Sequence, residues 1–213
     1  MNGIDIVVGS TTYIRVVNSK TGDYKEIQGH NLATKQMLLG LYNFLRRNFL
    51  LPENPTNAQA NDVTESMRSY CPFYLRVGAG TTNPSFTDDH LEYPLYIDGS
   101  VNDSPSPYTQ GTEVYYKQYD AAEYGEEVSE SVTLRLKFYI PSNVLSGTSS
   151  ISTEITEWAL YSQGSGDHPE DGYLLSRFVP KDEHNNPIVT EKGPYDFIDV
   201  LWEITLHSYV QST

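Results

Sequence analysis

Val128–Ile140 reads VSESVTLRLKFYI, and its hydropathy decides the fold. Val128, Val132, Leu134, Leu136, Phe138 and Ile140 nearly fill every second position, with Thr133, Arg135, Lys137 and Tyr139 between them. A period of two over this length specifies a long strand with one face in the core and one in water. The same alternation returns near the C-terminus, where Ile198, Val200, Trp202, Ile204 and Leu206 oppose Asp199, Leu201, Glu203, Thr205 and His207. Between these two, Pro141-Ser142-Asn143 makes a turn, Ile151–Ser162 reads as a further strand, and Tyr173–Val179 as another. Upstream, Val114 and Tyr116 alternate with Tyr115 and Lys117. Antiparallel alternation with turn signals throughout predicts a mainly β chain, an antiparallel β-sandwich body over residues 71–207.

The N-terminal fifty residues read as an appendage to that body. Ile4–Val8 and Thr11–Val17 are β-branched runs separated by Gly9-Ser10, and Asn18–Gly22 is a turn cluster from which Tyr24–Gln28 returns as a hairpin arm. One amphipathic helix is expected over Asn31–Phe49. Asn31 serves as its N-cap, Arg46 and Arg47 suit its carbonyl end, and Pro52 stops it. Leu38, Leu41, Tyr42, Leu45 and Phe49 form its apolar stripe, widened by Met37 and Phe44. Pro52–Ser69 and Tyr93–Thr112 read as long surface loops.

Phe73–Leu91, FYLRVGAGTTNPSFTDDHL, joins a strand to a shaped loop. Phe73, Leu75 and Val77 alternate with Tyr74 and Arg76, and Gly78-Ala79-Gly80 then opens a Thr/Asn/Ser/Asp run. Gly78 and Gly80 are expected either to take positive φ or to let another backbone approach. A dinucleotide-binding fingerprint would need a third glycine and an immediate helix; Pro84 and a polar run follow instead.

Charge and composition bear on function. The chain of 213 residues carries a net charge of −14. Residues 1–50 hold six Lys/Arg against three Asp/Glu, a net +3, and residues 51–213 hold eight against twenty-five, a net −17. An acidic body repels nucleic acid. No apolar run approaches a membrane span, so no membrane insertion is expected. The lone Cys71 rules out an internal disulfide and reads as a small packed residue beside Pro72. His30, His90, His168, His184 and His207 are scattered without a zinc-ligand spacing, and Asp98, Asn102 and Asp103 lack that of a calcium loop. No cofactor or metal is therefore expected. Asp88 with Asp89, or Glu154 with Glu157, could be imagined as a glycosidase pair. On an ideal strand, however, Glu154 and Glu157 project to opposite faces, and no catalytic motif surrounds either pair. The chain reads as non-catalytic. Seventeen tyrosines instead suit interfaces, or alternatively a receptor- or carbohydrate-binding module using Tyr108, Tyr115, Tyr116, Tyr119 and Tyr124. Glu157 and Arg177 are a candidate ion pair across neighbouring strands, and Trp202 is a candidate core anchor.

The ordered segments LRVGAGTTNPSFTDDHLEYP (75–94), ITEWALYS (155–162), LLSRFVP (174–180) and IDVLWEITL (198–206) resemble a group of bacteriophage tail-associated structural proteins. The pattern there is a glycine loop with a later Asp-x-x-Leu, met here by Asp88 and Leu91, then an E-x-x-L-Y/F strand, an L-x-x-R strand and a final W-x-I strand. The resemblance spans most of residues 31–207, interrupted by the long loops at 52–69 and 95–111. It implies an assembly role without chemistry at a collar, tail-tube end or baseplate of the virion, often near fibre attachment. The implied partners are further copies of the chain and other tail or neck proteins. Gly78, Gly80, Asp88, Glu157, Arg177 and Trp202 are the structural candidates, and Arg46 and Arg47 the candidates for charge-steered assembly.

Overall fold

A computed structural model describes residues 4–41, 72–95, 115–116, 131–145, 152–162 and 172–210. The chain is mainly β, and its strands pair antiparallel throughout. In chain order the strands are β1 (Ile4–Asn18), β2 (Tyr24–His30), β3 (Leu32–Ala33), β4 (Pro72–Gly78), β5 (Tyr115–Tyr116) and β6 (Ser131–Ile140). They continue as β7 (Thr153–Ile155), β8 (Glu157–Ser162), β9 (Leu174–Phe178), β10 (Thr190–Lys192) and β11 (Asp196–Val210). One sheet has the order β2-β1-β11-β6 and a second the order β3-β9-β8-β4-β5, while β7 and β10 form a small ribbon.

The two period-two strands are direct neighbours: β6 and β11 pair from Ile198 opposite Ile140 to His207 opposite Ser131. Leu136, Phe138, Ile140, Ile198, Val200, Trp202 and Ile204 are buried and Leu134 is half-buried, whereas Lys137 and Tyr139 are exposed. Ile14, Val16 and Ile27 complete this inner face, and Leu75, Val77, Trp158, Leu160 and Phe178 of the second sheet join the same apolar cluster. Trp202 is fully buried, with Nε1 donating to Ser10 Oγ at 2.9 Å, so its one polar atom is satisfied inside the core. Buried Lys192 donates to the Ser142 carbonyl at 3.2 Å, tying β10 to the turn after β6. Burial pushes this amine down to about 8, with Asp196 opposing the shift.

Several sequence expectations need correction. Gly9-Ser10 does not break the first strand, because β1 runs 15 residues and pairs along its whole length with β11. The hairpin is thus built into the main sheet, β1 as an inner strand and β2 at its edge. Asn31 is no helix cap: its N–H donates to the Ser10 carbonyl and its Nδ2 to Ser10 Oγ, and Leu32 and Ala33 pair as β3 with Arg177 and Ser176. Helix begins only at residue 35, and its described part is 35–41. There Met37 packs on the core and Leu41 is half-buried, while Leu38 is exposed. The remainder of the expected helix, with Arg46 and Arg47, lies outside the described residues, as do the loops 52–69 and 96–111. The expected strand over 151–162 splits at Thr156, sending β7 to the ribbon and β8 to the second sheet.

The packing separates two classes of substitution. Trp202→Ala, at the centre of the shared core, is expected to cost roughly 3–5 kcal/mol. Tyr139→Ser, on the exposed face where its ring lies 5.6 Å from that of Phe197, is expected to cost about 1 kcal/mol. Urea unfolding of both variants measures the contrast.

Candidate functional site

The glycine loop folds back on its own sheet instead of projecting from it. β4 ends at Gly78, and the chain returns so that Ala79 N–H donates to the Tyr93 carbonyl at 2.8 Å and Leu95 N–H to the Val77 carbonyl at 3.0 Å. The intervening segment closes as a compact loop whose ends touch, packed by its own side chains. Leu91 is buried with Tyr74, Ala159, Tyr161 and Leu174, forming a second small core on the outer face of this sheet. The Tyr161 hydroxyl accepts the Leu91 N–H at 3.1 Å.

Beneath the loop lies a buried charge network. Glu157 opens β8 directly opposite Gly78, and Arg177 on β9 sits opposite Ala159, so both project to the same face. Glu157 is completely buried and Arg177 is 3% exposed. Arg177 Nε donates to Glu157 Oε1 at 2.5 Å, Nη1 donates to Asp88 Oδ2 at 2.8 Å, and Nη2 donates to Thr82 Oγ1 at 3.2 Å. Glu92 approaches Nη2 at 3.7 Å. Glu157 Oε1 also accepts the Glu92 N–H at 2.9 Å, while Oε2 accepts the Gly80 N–H at 3.2 Å and the Tyr93 N–H at 3.4 Å. A buried carboxylate is tolerated only with such complete pairing.

The loop's own acids hold its shape. Glu92 Oε2 accepts the N–H groups of Thr81 and Thr82 and the Thr82 hydroxyl, each at 2.9 Å. Burial acts against ionisation of Glu92, but the bonds from Thr82 and Thr81 and the charge of Arg177 outweigh it and hold the carboxyl below its usual range. For Arg177, burial is likewise outweighed, by the charge of Glu157 and the bonds to Asp88 and Glu157, so the guanidinium is held above its usual range. Asp88 also accepts the Ser85 N–H at 2.8 Å, closing the turn at the loop's tip. Asp89 faces His90 instead, and Glu154 is exposed on β7, away from Glu157.

Gly78 and Gly80 serve close approach, not positive φ; among the described residues Gly22 is the glycine with positive φ, at 77°. A Cβ on Gly78 would lie 2.5 Å from Glu157 Oε2 and 2.8 Å from the Tyr93 carbonyl oxygen. On Gly80 it would lie 2.5 Å from Glu157 Oε2 and 2.6 Å from Glu92 Cβ. Thr156, which separates β7 from β8, donates its hydroxyl to the Gly80 carbonyl at 2.9 Å and its N–H to the Gly78 carbonyl at 3.0 Å.

The site thus joins Gly78, Gly80, Asp88, Glu157 and Arg177. Trp202 belongs to the other sheet and Arg46 and Arg47 lie outside the described residues. Sequence reading missed Glu92, Thr81, Thr82, Thr156 and Tyr161, which meet only through the folded loop. Among the described residues no group of three His, Cys, Asp or Glu side chains is placed to hold a metal ion. No known protein family, curated protein or solved structure matches this chain.

Glu157, Glu92 and Gly80 yield measurable expectations. Glu157→Ala leaves Arg177 buried against an empty position, and a loss of roughly 3–5 kcal/mol is expected. Gly80→Val is expected to disrupt loop 79–93 more than the strands, read by hydrogen exchange at Leu91 and Tyr93. Because Glu92's folded carboxyl lies below its unfolded value, its stabilisation is present above the unfolded pKa and fades as pH falls through the folded one. Glu92→Gln is therefore expected to lower stability at neutral pH and to flatten the acid limb of the pH–stability profile.

Proposed function

We propose that this chain is a non-catalytic structural protein of a bacteriophage virion, assembled in several copies in a tail, collar or baseplate and joined there to neighbouring tail or fibre proteins. On this reading its two sheets form the β-sandwich body of such a protein. The observation that carries it is the use made of the motif residues. Glu157, Arg177, Asp88 and Gly80, drawn from three of the resembling segments, converge on one network, and each Glu157 oxygen is occupied by Arg177 or by loop N–H groups. A carboxylate so saturated serves as a fastener, not as a general acid or base. What the network produces is a fixed surface loop carrying exposed Phe86 and Tyr93, which suits docking between proteins.

The second reading, a receptor- or carbohydrate-binding module, draws on loop tyrosines, of which Tyr108, Tyr119 and Tyr124 lie outside the described residues; other exposed tyrosines are described. Tyr24 is 62% exposed, but the Arg15 guanidinium lies 4.7 Å from its ring centre, and Lys20 Nζ lies 3.2 Å from that of Tyr195. Rings already covered by cations are poor stacking platforms for sugars and good components of protein interfaces.

Sedimentation velocity over a concentration series, with electron microscopy of the pure protein and pull-down with candidate tail and neck proteins, tests the assembly role. Defined oligomers or stoichiometric complexes are expected. A chain that stays monomeric at every concentration and binds no tail component overturns the reading, and glycan-array binding in that case favours the second.

A further inference from the structure

Resting on the assembly reading above, we propose that the outer face of the β2-β1-β11-β6 sheet meets the same face of a second copy, about a two-fold axis parallel to the strands. The face is built by the residues that alternate with the core. Val17, Arg15 and Tyr13 on β1 stand directly beside Phe197, Asp199 and Leu201 on β11. Arg15, Tyr13 and Asp199 are exposed, the other three half-buried. An aromatic and aliphatic surface rich in Tyr and Arg has the composition of an interface core.

Charge selects the occupant and the axis. The chain as a whole carries −14, so two copies repel through most of their surfaces. On this face the charges balance locally: Arg15 bonds Glu26 at 2.8 Å through Nε, and Arg135 bonds Glu203 at 2.8 Å. Asp199 has Arg15 as its electrostatic neighbour; burial raises this carboxyl's pKa and the charge of Arg15 opposes the rise. A half-turn about an axis parallel to the strands, midway between β1 and β11, lays each β1 over the second copy's β11 without changing height along the strands. Arg15 then faces the second copy's Asp199, Tyr13 its Leu201, and Val17 its Phe197, and each contact occurs twice. The other in-plane two-fold, across the strands at the same row, sets Arg15 on Arg15 and Asp199 on Asp199. Electrostatics therefore favours the first axis and disfavours the second. Four strands at roughly 4.8 Å and about seven residues at roughly 3.4 Å give a patch of about 19 by 24 Å. That is near the lower limit of a specific interface, so a weak dimer is expected that multiple copies in a particle would reinforce.

The test uses the full chain. Facing strands of stacked sheets lie about 10 Å apart, too far for a disulfide, so in a Cys71→Ser background a short bis-maleimide is expected to link Tyr13→Cys protein to Leu201→Cys protein, while Cys71→Ser protein without an added cysteine stays unlinked. In sedimentation, Tyr13→Glu and Leu201→Glu are each expected to weaken self-association at least about tenfold. Arg15→Asp and Asp199→Arg should each weaken it, and the double exchange should restore it. Circular dichroism and melting of each variant separate lost association from lost folding, and the crosslinked mixture needs no destabilising charge. Oligomers indifferent to these substitutions, with no crosslink in the mixture, overturn the face-to-face contact while leaving the assembly reading intact. A monomer that still binds another tail protein has the same consequence, whereas a monomer that binds none overturns both.

Discussion

The outer half of this protein depends on one buried ion pair. Glu157 and Arg177 lie side by side on β8 and β9, with essentially no exposure to water. Removing both charges from solvent costs several kcal/mol per ion before any attraction is gained. The pair alone cannot meet that cost, because a carboxylate and a guanidinium together leave lone pairs and N–H groups unsatisfied. Loop 79–93 supplies what is missing: three backbone N–H groups for Glu157, and Asp88, Thr82 and Glu92 for Arg177. The dependence is reciprocal. A polar loop of this length has few apolar side chains with which to order itself, and the buried charges give its backbone fixed partners.

That constraint explains local choices elsewhere. Gly78 and Gly80 are glycines because the Glu157 carboxylate occupies the space a side chain would need. Thr156 breaks the run between β7 and β8 where its hydroxyl and N–H are required by the carbonyls of Gly80 and Gly78. The edge strand β3 is held in the same region, since Leu32 pairs with Arg177 and the Thr34 hydroxyl donates to the Leu174 and Leu175 carbonyls. Lys35 N–H then reaches the Phe86 carbonyl at 2.8 Å, so the start of the helix is fastened to the loop's tip.

How much of this was legible in the sequence follows from the range of each interaction. The alternation in Leu134–Ile140 and Ile198–Ile204 is a local pattern with a single good solution, and those residues line one core. Glu157 and Arg177 were legible as cross-strand neighbours because their strands are short and bounded. The start of the helix was not. Asn31 before a leucine-rich run has the chemistry of a cap, but two backbone pairings to β9 outweigh a local preference of that size. The division at Thr156 carries no Gly or Pro to mark it, and its cause lies in Gly78 and Gly80, far away in the chain. Glu92, Thr81 and Thr82 have no recognisable spacing relative to Glu157 or Arg177; only the closed loop brings them together.

The two sheets consequently have unequal outer faces. On the β3-β9-β8-β4-β5 sheet, Tyr74, Ala159, Tyr161 and Leu174 are covered by Leu91, and the charges beneath the loop are consumed within the chain. On the β2-β1-β11-β6 sheet the described side chains opposite the core are half-buried or exposed, with Tyr13, Tyr24 and Tyr139 among the exposed. Such a face costs solubility unless its charges are mixed, and here Arg15 with Glu26 and Arg135 with Glu203 mix them. Arg15, one of the basic residues of the N-terminal segment, is paired with Glu26 within the main sheet, while Arg46 and Arg47 lie outside the described residues. On the proposed assembly reading, a locally neutral aromatic face would let an acidic chain keep repulsion everywhere except at the proposed contact.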